Sequence, residues 1–345
     1  MADPGRIVDI EEFLHRCEGP IFDVRSPCEF ASGHIPGSTS LPLFTDDERA
    51  FIGTMYKQQG HDAAVTAGLH AVGPKLGSMA TSIRSFLGEV KSTACRVTCF
   101  RGGMRSRSVQ WLCEFIGFPT VRLDGGYKSF RHHVLQTFER PFSFIVIGGK
   151  TGSGKTEKLK ALKQRGHQTV DLEALAGHRG SAFGLLPGCQ QPTTEQFENL
   201  LAQQLWSLDP ARPIFVEDES RPIGSCLIPK AIFDQMDRSR VLWLEVGVEE
   251  RLRHIMDSYG ALPPSFLIEC TNKLHRRLGG ERVQRGTRLI EEGAIEEAAK
   301  MLLEYYDGTY LHSRSRRQRE LTSVTGEQLF AEAAILDGLS RSSQG

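Results

Sequence analysis

A glycine-rich loop of eight residues constrains the fold of this chain more than any other segment. It reads GKTGSGKT over residues 149–156, after the apolar run 144–147 and before a helical pattern at 156–164. In such a loop backbone amides converge on phosphate oxygens, the lysine adds positive charge and the final hydroxyl can bind Mg²⁺. The loop therefore predicts a bound phosphate, but it does not indicate which ligand carries that phosphate. Its predicted phosphate-binding residues are Gly149, Lys150, Thr151, Gly152, Ser153, Gly154, Lys155 and Thr156.

Strand-like runs recur after this loop at 168–172, 213–216 and 241–246, with helical patterns between them. This alternation predicts a parallel α/β sheet. Glu217 and Asp218 end the second of these runs, where acids can hold a metal ion or its waters. Asp171 ends the first run and suits a substrate contact or a helix N-cap equally. No metal ligand is firmly assigned, and the candidates for metal or substrate contacts are Glu217, Asp218, Asp171, His178, Arg179 and Arg221.

Basic residues gather late in the chain, although Lys plus Arg equals Asp plus Glu at 42 each. Residues 273–288 hold six basic residues against one acid, and a second basic run follows at 312–319. Such runs can meet a polyanion, and a solvated helix face explains them as well. Four arginines flank the glycine pair at 279 and 280, a composition typical of a lid over phosphates or of a tRNA contact: Arg276, Arg277, Arg282 and Arg285.

The first part of the chain carries a cysteine in a second loop. β-type runs occur at 21–25, 97–100 and 120–123, so that Cys99 lies where a strand gives way to a loop and then to a helix. This setting favours a nucleophilic thiolate, and Arg101 and Arg105 are suited to hold an anionic donor. The spacing of Cys99 and Arg105 is also that of the tyrosine phosphatase loop. With 345 residues we expect two domains, at 1–140 and 141–345.

Residues 23–26 (DVRS), 29–30 (EF) and 33–38 (GHIPGS) resemble the signature of rhodanese sulfurtransferases, and Cys99 falls where their persulfide cysteine lies. Together with the phosphate loop, the whole chain resembles the tRNA 2-selenouridine synthase family. The segments that carry this resemblance are CFRGGMRS at 99–106, GTMYKQ at 53–58, LDGGYK at 123–128, HRGSAFG at 178–184, EDESR at 217–221 and RLGG at 277–280.

The resemblance implies a rhodanese-like α/β domain followed by a P-loop NTPase-like parallel-sheet domain with a helical, basic C-terminal region. It implies a transferase that converts wobble 2-thiouridine of tRNA to 2-selenouridine through an S-geranylated intermediate, with geranyl diphosphate and selenophosphate as co-substrates. Cys99 would handle selenium, and residues 149–156 would hold the diphosphate. A selenophosphate-producing enzyme is an expected partner.

Other functions stay open at this stage. A cysteine-dependent phosphatase would use Cys99 and Arg105, and an ATP-dependent sulfurtransferase or kinase would use the phosphate loop for ATP. A tRNA-binding protein without catalysis would need neither reaction. Whether ATP binds is therefore undecided. Because no segment approaches the ~18 apolar residues of a membrane span, and the start is acidic, we expect a cytoplasmic protein without membrane contact.

Overall fold

The computed structural model describes residues 5–314 and 320–342. The chain divides into two compact units, Met1–Thr137 and Phe138–Gly345. The arginines at 314, 316, 317 and 319 of the second basic run lie outside the residues whose side chains are described. None of the helices within the described ranges is both long and apolar enough to cross a bilayer.

The first unit is a parallel sheet with helices around it. Its strand order is β1-β5-β4-β2-β3, so that β4 lies at the centre. The strands are β1 (Ile7–Val8), β2 (Ile21–Asp23), β3 (Thr39–Ser40), β4 (Cys95–Thr98) and β5 (Thr120–Leu123). The helices are α1 (Ile10–His15), α2 (Pro27–Ser32), α3 (Asp46–Gln59), α4 (His61–Val72), α5 (Leu76–Glu89), α6 (Met104–Phe115) and α7 (Gly126–Phe138), with a 3-10 turn at Gly73–Lys75.

The inner strands β2, β4 and β5 are buried almost throughout, as expected for a parallel sheet covered by helices. Phe22 of β2 and Val97 of β4 are fully buried against Ile83 and Leu87 of α5 and Val109 of α6. Cys99 follows the central strand directly. The fold therefore sets the cysteine at the carboxyl edge of the sheet, where α6 begins.

The second unit is also built on a parallel sheet, with strand order β12-β11-β6-β8-β7. Its strands are β6 (Phe144–Gly149), β7 (Gln168–Val170), β8 (Ile214–Glu217), β11 (Arg240–Leu244) and β12 (Leu321–Val324), besides an antiparallel hairpin of β9 (Pro222–Ile223) and β10 (Cys226–Leu227). Its helices are α8 (Lys155–Gln164), α9 (Leu172–Ala176), α10 (Thr194–Trp206), α11 (Lys230–Arg238), α12 (Val248–Tyr259), α13 (Pro264–Lys273), α14 (His275–Leu278), α15 (Gly280–Glu291), α16 (Ile295–Arg314) and α17 (Gly326–Ser342).

The predicted fold class is confirmed: two parallel α/β sheets are followed by a helical C-terminal region. In that region α15 packs against α13 and α16, and α16 packs against α12. Strand β6 lies between β11 and β8, so the loop after β6 is at the middle of the sheet edge. Loops after neighbouring parallel strands meet at this edge, which is where open α/β sheets bind ligands.

Candidate functional site

The phosphate loop joins β6 to α8 and is closely packed. Gly152 has a φ of +78°, and a side chain there would approach the Arg251 carbonyl oxygen to 2.7 Å. Gly154 has a φ of +74°, and a side chain there would approach the His254 ring to 3.1 Å. The Lys155 Nζ donates to the Gly149 carbonyl oxygen at 3.5 Å. Glycine is therefore required by both backbone conformation and space, because β-carbons are strained at positive φ.

Helix α12 supports this loop from one side. Arg251, only 1% exposed, donates from Nε to the Thr151 carbonyl oxygen at 2.8 Å. The Nδ1 atom of His254 lies 2.9 Å from the Gly152 carbonyl oxygen. Asp307 of α16 accepts hydrogen bonds from Arg251 and pairs with Lys150 at 3.5 Å. Burial alone would raise the pKa of Asp307, but Arg251 and Lys150 hold it below its usual range.

Three glutamates meet beside the last residue of the loop. Carboxylate oxygens of Glu173, Glu217 and Glu219 all lie within 4.8 Å of one another. The Thr156 hydroxyl is 3.4 Å from both Glu173 and Glu217. Within the described residues, the buried Oε1 atom of Glu217 has no hydrogen-bond partner. Oxygen ligands of this kind suit a hard cation such as Mg²⁺.

The same three carboxyls have raised pKa values. Burial, and then the charge of Glu173, raises the pKa of Glu217 to about 8. Burial and the charge of Glu219 raise that of Glu173 to about 8, and burial raises that of Glu219 to about 7. Lys155 opposes each shift. A divalent cation among the carboxylates would replace the protons that otherwise relieve their repulsion.

A cavity of about 970 Å³ opens from the phosphate loop into the helical region. Its polar end is formed by the loop itself, by the three glutamates and by Asp218. The rest of its wall is mainly apolar and comes from the loop after α9 and from helices α12, α13, α15 and α16. The apolar lining residues include Phe183, Leu185, Ile255, Met256, Tyr259, Leu267, Leu274, Ile290, Ile295, Ala298, Leu302, Leu303 and Tyr306.

The remaining candidates of the second unit have different surroundings. Asp171 accepts a hydrogen bond from the Ala174 amide at 2.8 Å and is the N-cap of α9, which accounts for its carboxylate structurally. His178 and Arg179 line the cavity; the His178 Nδ1 accepts from the Gly180 amide at 3.1 Å, and burial lowers the His178 pKa. Arg221 is exposed and donates to the Ile228 carbonyl oxygen at 3.2 Å.

The predicted lid arginines are divided between two helices. Arg276 and Arg277 lie on α14, and Arg282 and Arg285 lie on α15. All four are exposed, and Arg277 also lines the cavity. Their lid or tRNA role stays a prediction.

Cys99 lies in a compact loop at the start of α6. It is 2% exposed, and its Sγ is 3.2 Å from the Ser106 hydroxyl. The Tyr127 amide donates to the Cys99 carbonyl oxygen at 2.8 Å. Gly126, with a φ of +61°, has no room for a side chain, since a β-carbon would lie 2.2 Å from that carbonyl oxygen. The start of α7 thus fixes the backbone of the cysteine.

The two arginines of this loop differ in their contacts. Arg105 donates to both carboxylate oxygens of Glu29, at 2.5 and 3.4 Å. Burial would raise the pKa of Glu29, but Arg105 outweighs it and keeps that pKa below its usual range. Arg101 is exposed, with its guanidinium carbon 5.8 Å from the centre of the Phe100 ring. Glu29 therefore compensates the charge of Arg105 but not that of Arg101. An anionic donor at the entrance of the loop would be attracted by Arg101.

Sequence reasoning missed Glu173, Arg251 and Asp307. Glu173 carried a usable signal, because it closely follows strand β7, whose neighbour β8 ends at Glu217. The pair of Arg251 and Asp307 carried none. These residues are 56 positions apart, and only the packing of α12 on α16 joins them.

Comparison with known proteins decides the family. A model of the rhodanese-like domain matches residues 8–133, and a model of the tRNA 2-selenouridine synthase AAA domain matches residues 142–263. A tRNA 2-selenouridine synthase of Pseudomonas fluorescens is 36% identical over 95% of this chain and 96% of its own length. The chain belongs to the tRNA 2-selenouridine synthase family. It is an enzyme of that family, as its sequence predicts.

Two further relatives extend this similarity beyond one genus. The tRNA 2-selenouridine synthase of Ectopseudomonas mendocina is 36% identical over 91% of this chain and 92% of its own length. That of Bordetella bronchiseptica is 35% identical over 90% and 92%. The similarity spans both units and therefore covers the phosphate loop as well as Cys99.

Proposed function

We propose that this synthase converts 2-thiouridine at the wobble position of tRNA to 2-selenouridine in two steps. In the first step, which takes place in the second unit, geranyl diphosphate alkylates the sulfur of the 2-thiouridine base. Selenium from selenophosphate then replaces the S-geranyl group with the help of Cys99. A selenophosphate-producing enzyme would supply the second co-substrate.

The single observation that carries this proposal is the cavity shared by the phosphate loop and an apolar wall. A prenyl diphosphate has the matching division, with a charged diphosphate at one end and a hydrocarbon at the other. Burial of hydrocarbon against aliphatic side chains is favourable by roughly 25 cal/mol per Å². A nucleotide would instead bring a polar base and ribose to Leu267, Ile290 and Leu302, where unpaired polar groups are costly.

The glutamates and Thr156 support a metal at the polar end. Mg²⁺ would fit the oxygens of Glu217, Glu173 and Thr156, because one Glu217 oxygen is buried without a partner in the described residues. Such an ion would supply charge stabilisation for the departing diphosphate. Lys155 is close enough to the same end to share in that stabilisation.

The alkylation has a balanced course. The thiocarbonyl sulfur forms a bond to the first geranyl carbon, the bond from that carbon to the diphosphate oxygen breaks, and the base loses its N3 proton. Lys155 and the amides of the loop would stabilise the leaving diphosphate. Carbon 2 of the S-alkylated base is then electrophilic. The selenium of selenophosphate forms a bond to this carbon, and the bond from the carbon to the sulfur breaks, so that geranyl thiolate leaves. Water then cleaves the phosphorus–selenium bond and phosphate is released.

Cys99 is proposed as the residue that delivers selenium. Its sulfur is at the N-terminal end of α6, where partial positive charge favours an anion. Ser106 is within hydrogen-bond distance of the sulfur. Arg101 is the candidate contact for the phosphate end of selenophosphate.

The phosphatase alternative requires an arginine that faces a phosphate on the sulfur. Arg105 instead forms two hydrogen bonds with Glu29. That pairing favours selenium transfer over phosphate-ester hydrolysis.

The two alternative functions predict different activities. A phosphatase would hydrolyse an aryl phosphate in a Cys99-dependent manner regardless of selenophosphate. An ATP-dependent sulfurtransferase would show saturable ATP turnover stimulated by tRNA.

Mass spectrometry of thiolated tRNA tests the proposal. The chain is incubated with geranyl diphosphate and selenophosphate, separately and together. Cys99→Ala should stop at the geranylated base, whereas Lys155→Ala should lose geranylation. Cys28→Ala and Lys163→Ala, at exposed positions outside both loops, serve as controls. The assignment is wrong if Cys99→Ala abolishes geranylation and Lys155→Ala spares it.

A further inference from the structure

The helix that follows the Cys99 loop has an exposed aromatic face. Met104, Trp111 and Phe115 of α6 are 56%, 54% and 74% exposed. The rings of Trp111 and Phe115 stack, with centroids 5.3 Å apart and planes inclined by 24°. Large exposed side chains at this spacing share one face of a helix, opposite the face that packs on the core. We call Met104, Arg107, Trp111 and Phe115 the aromatic stripe.

Positive charge lies on the stripe and near both of its ends. Arg107 is exposed and lies four residues before Trp111, within the stripe. Near the C-terminal end of the stripe Arg84 donates to the Ile116 carbonyl oxygen at 3.5 Å, and near its start Arg101 lies beside the exposed Phe100 ring. The acid of this helix, Glu114, accepts a hydrogen bond from the Gly5 amide at 3.1 Å. The stripe thus carries one arginine among its exposed apolar side chains, with a further arginine near each of its ends.

We propose that the aromatic stripe binds the single-stranded anticodon loop of tRNA, with bases next to the wobble position stacked on Trp111 and Phe115. The inference rests on the proposed function, which supplies the tRNA. Unpaired RNA bases stack on aromatic rings and on guanidinium planes, and arginines attract the backbone. This combination favours RNA over a protein partner, because the positive charges of Arg107, Arg84 and Arg101 are complementary to a polyanion.

The position of the stripe relative to Cys99 strengthens the inference. Cys99 is almost fully buried, so its target base must leave the stack of the loop to reach it. The stripe begins five residues after Cys99, on the helix whose first turn adjoins the thiol. Neighbouring bases held on Trp111 and Phe115 would compensate for the stacking that the wobble base loses.

RNA binding by the full chain tests this surface. The probe is a labelled anticodon stem–loop with wobble 2-thiouridine, and a fully paired duplex of equal length is the RNA control. Trp111→Ala and Phe115→Ala should each weaken stem–loop binding about 5- to 100-fold, while duplex binding changes little. Trp111→Phe should retain most of the affinity. Arg107→Ala should reduce the salt dependence of binding by about one counterion.

Phe51→Ala is the matched control, because Phe51 is 61% exposed on α3 of the same unit. Melting temperatures of all variants should stay unchanged, since the substituted side chains are exposed. If Trp111→Ala and Phe115→Ala bind the stem–loop as tightly as the unsubstituted chain, the stripe proposal is overturned and a protein partner becomes its occupant. If Phe51→Ala weakens binding equally, it is overturned as well. An unsubstituted chain that neither binds nor modifies tRNA would refute the proposed function itself.

Discussion

Arg251 holds Asp307 through two hydrogen bonds, of 2.9 Å from Nη1 and 2.7 Å from Nη2. The same guanidinium donates to the Thr151 carbonyl oxygen of the phosphate loop. Arg251 of α12 therefore links Asp307 of α16 to the loop that would bind diphosphate. The shape of the loop thus depends on the C-terminal helical region as well as on its own glycines.

Asp307→Asn should destabilise the chain and weaken diphosphate binding together. The substitution leaves the guanidinium of Arg251 buried without a counter-charge. Removal of one partner of a buried ion pair lowers the free energy of unfolding by about 3 kcal/mol. Urea unfolding and inorganic diphosphate titration measure the two effects. Asp257→Asn removes an exposed acid from α12 and should change neither. Normal stability of Asp307→Asn would show that the pair does not support the loop.

The three glutamates make stability depend on pH in a direction opposite to that of paired carboxylates. Their folded pKa values are about 8 for Glu173 and Glu217 and about 7 for Glu219, above the usual ~4.3 of an unfolded chain. Between these values the folded chain holds protons that the unfolded chain has released. The contribution of these carboxyls to the free energy of unfolding is therefore fully present below about pH 4, and it is lost as the pH rises towards 8.

Glu217→Gln should flatten this pH dependence, because the amide does not ionise. Mg²⁺ should stabilise the unsubstituted chain more at pH 8 than at pH 6, since its ligands must be deprotonated. Thermal unfolding at both pH values, with and without Mg²⁺, measures both effects. An equal Mg²⁺ effect at pH 6 and pH 8 would argue against the glutamates as the ion's ligands.

Local patterns in the sequence predicted the two loops and the fold class, whereas contacts between distant residues were beyond them. The phosphate loop was predictable because its backbone amides, its lysine and its threonine hydroxyl all lie within one short stretch of sequence. Arg105 was assigned to an anionic donor, but it lies beside Glu29, which is 76 residues away in sequence. Strand β12 joins the sheet edge only by pairing with β11, and its sequence alone gave no sign of this.

Ala298→Phe should shorten the prenyl group that the cavity accepts. Ala298 is buried beside Leu267 and Ile290 and lines the apolar wall, so a phenyl group there would occupy space used by the hydrocarbon. Geranyl transfer should fall at least about tenfold relative to dimethylallyl transfer. Binding of inorganic diphosphate should be unchanged. Mass spectrometry of tRNA treated with each diphosphate gives the ratio.

The matched control for Ala298→Phe is Ala333→Phe, at a fully buried position outside the cavity. This substitution overpacks a core and should cost about 1–3 kcal/mol without changing the preference for chain length. An unchanged ratio in Ala298→Phe would mean that the hydrocarbon lies elsewhere.

Gly126→Ala should separate the two proposed reactions. Its φ of +61° disfavours alanine by about 1–2 kcal/mol, and the added methyl group would collide with the Cys99 carbonyl oxygen. We expect loss of selenium exchange with geranylation retained, because the phosphate loop is in the other unit. Gly37→Ala imposes a similar strain at a φ of +81° with nothing within 4 Å, and should keep both reactions. Equal exchange activity in the two variants, measured on geranylated tRNA, would show that the Cys99 backbone need not be held by the start of α7.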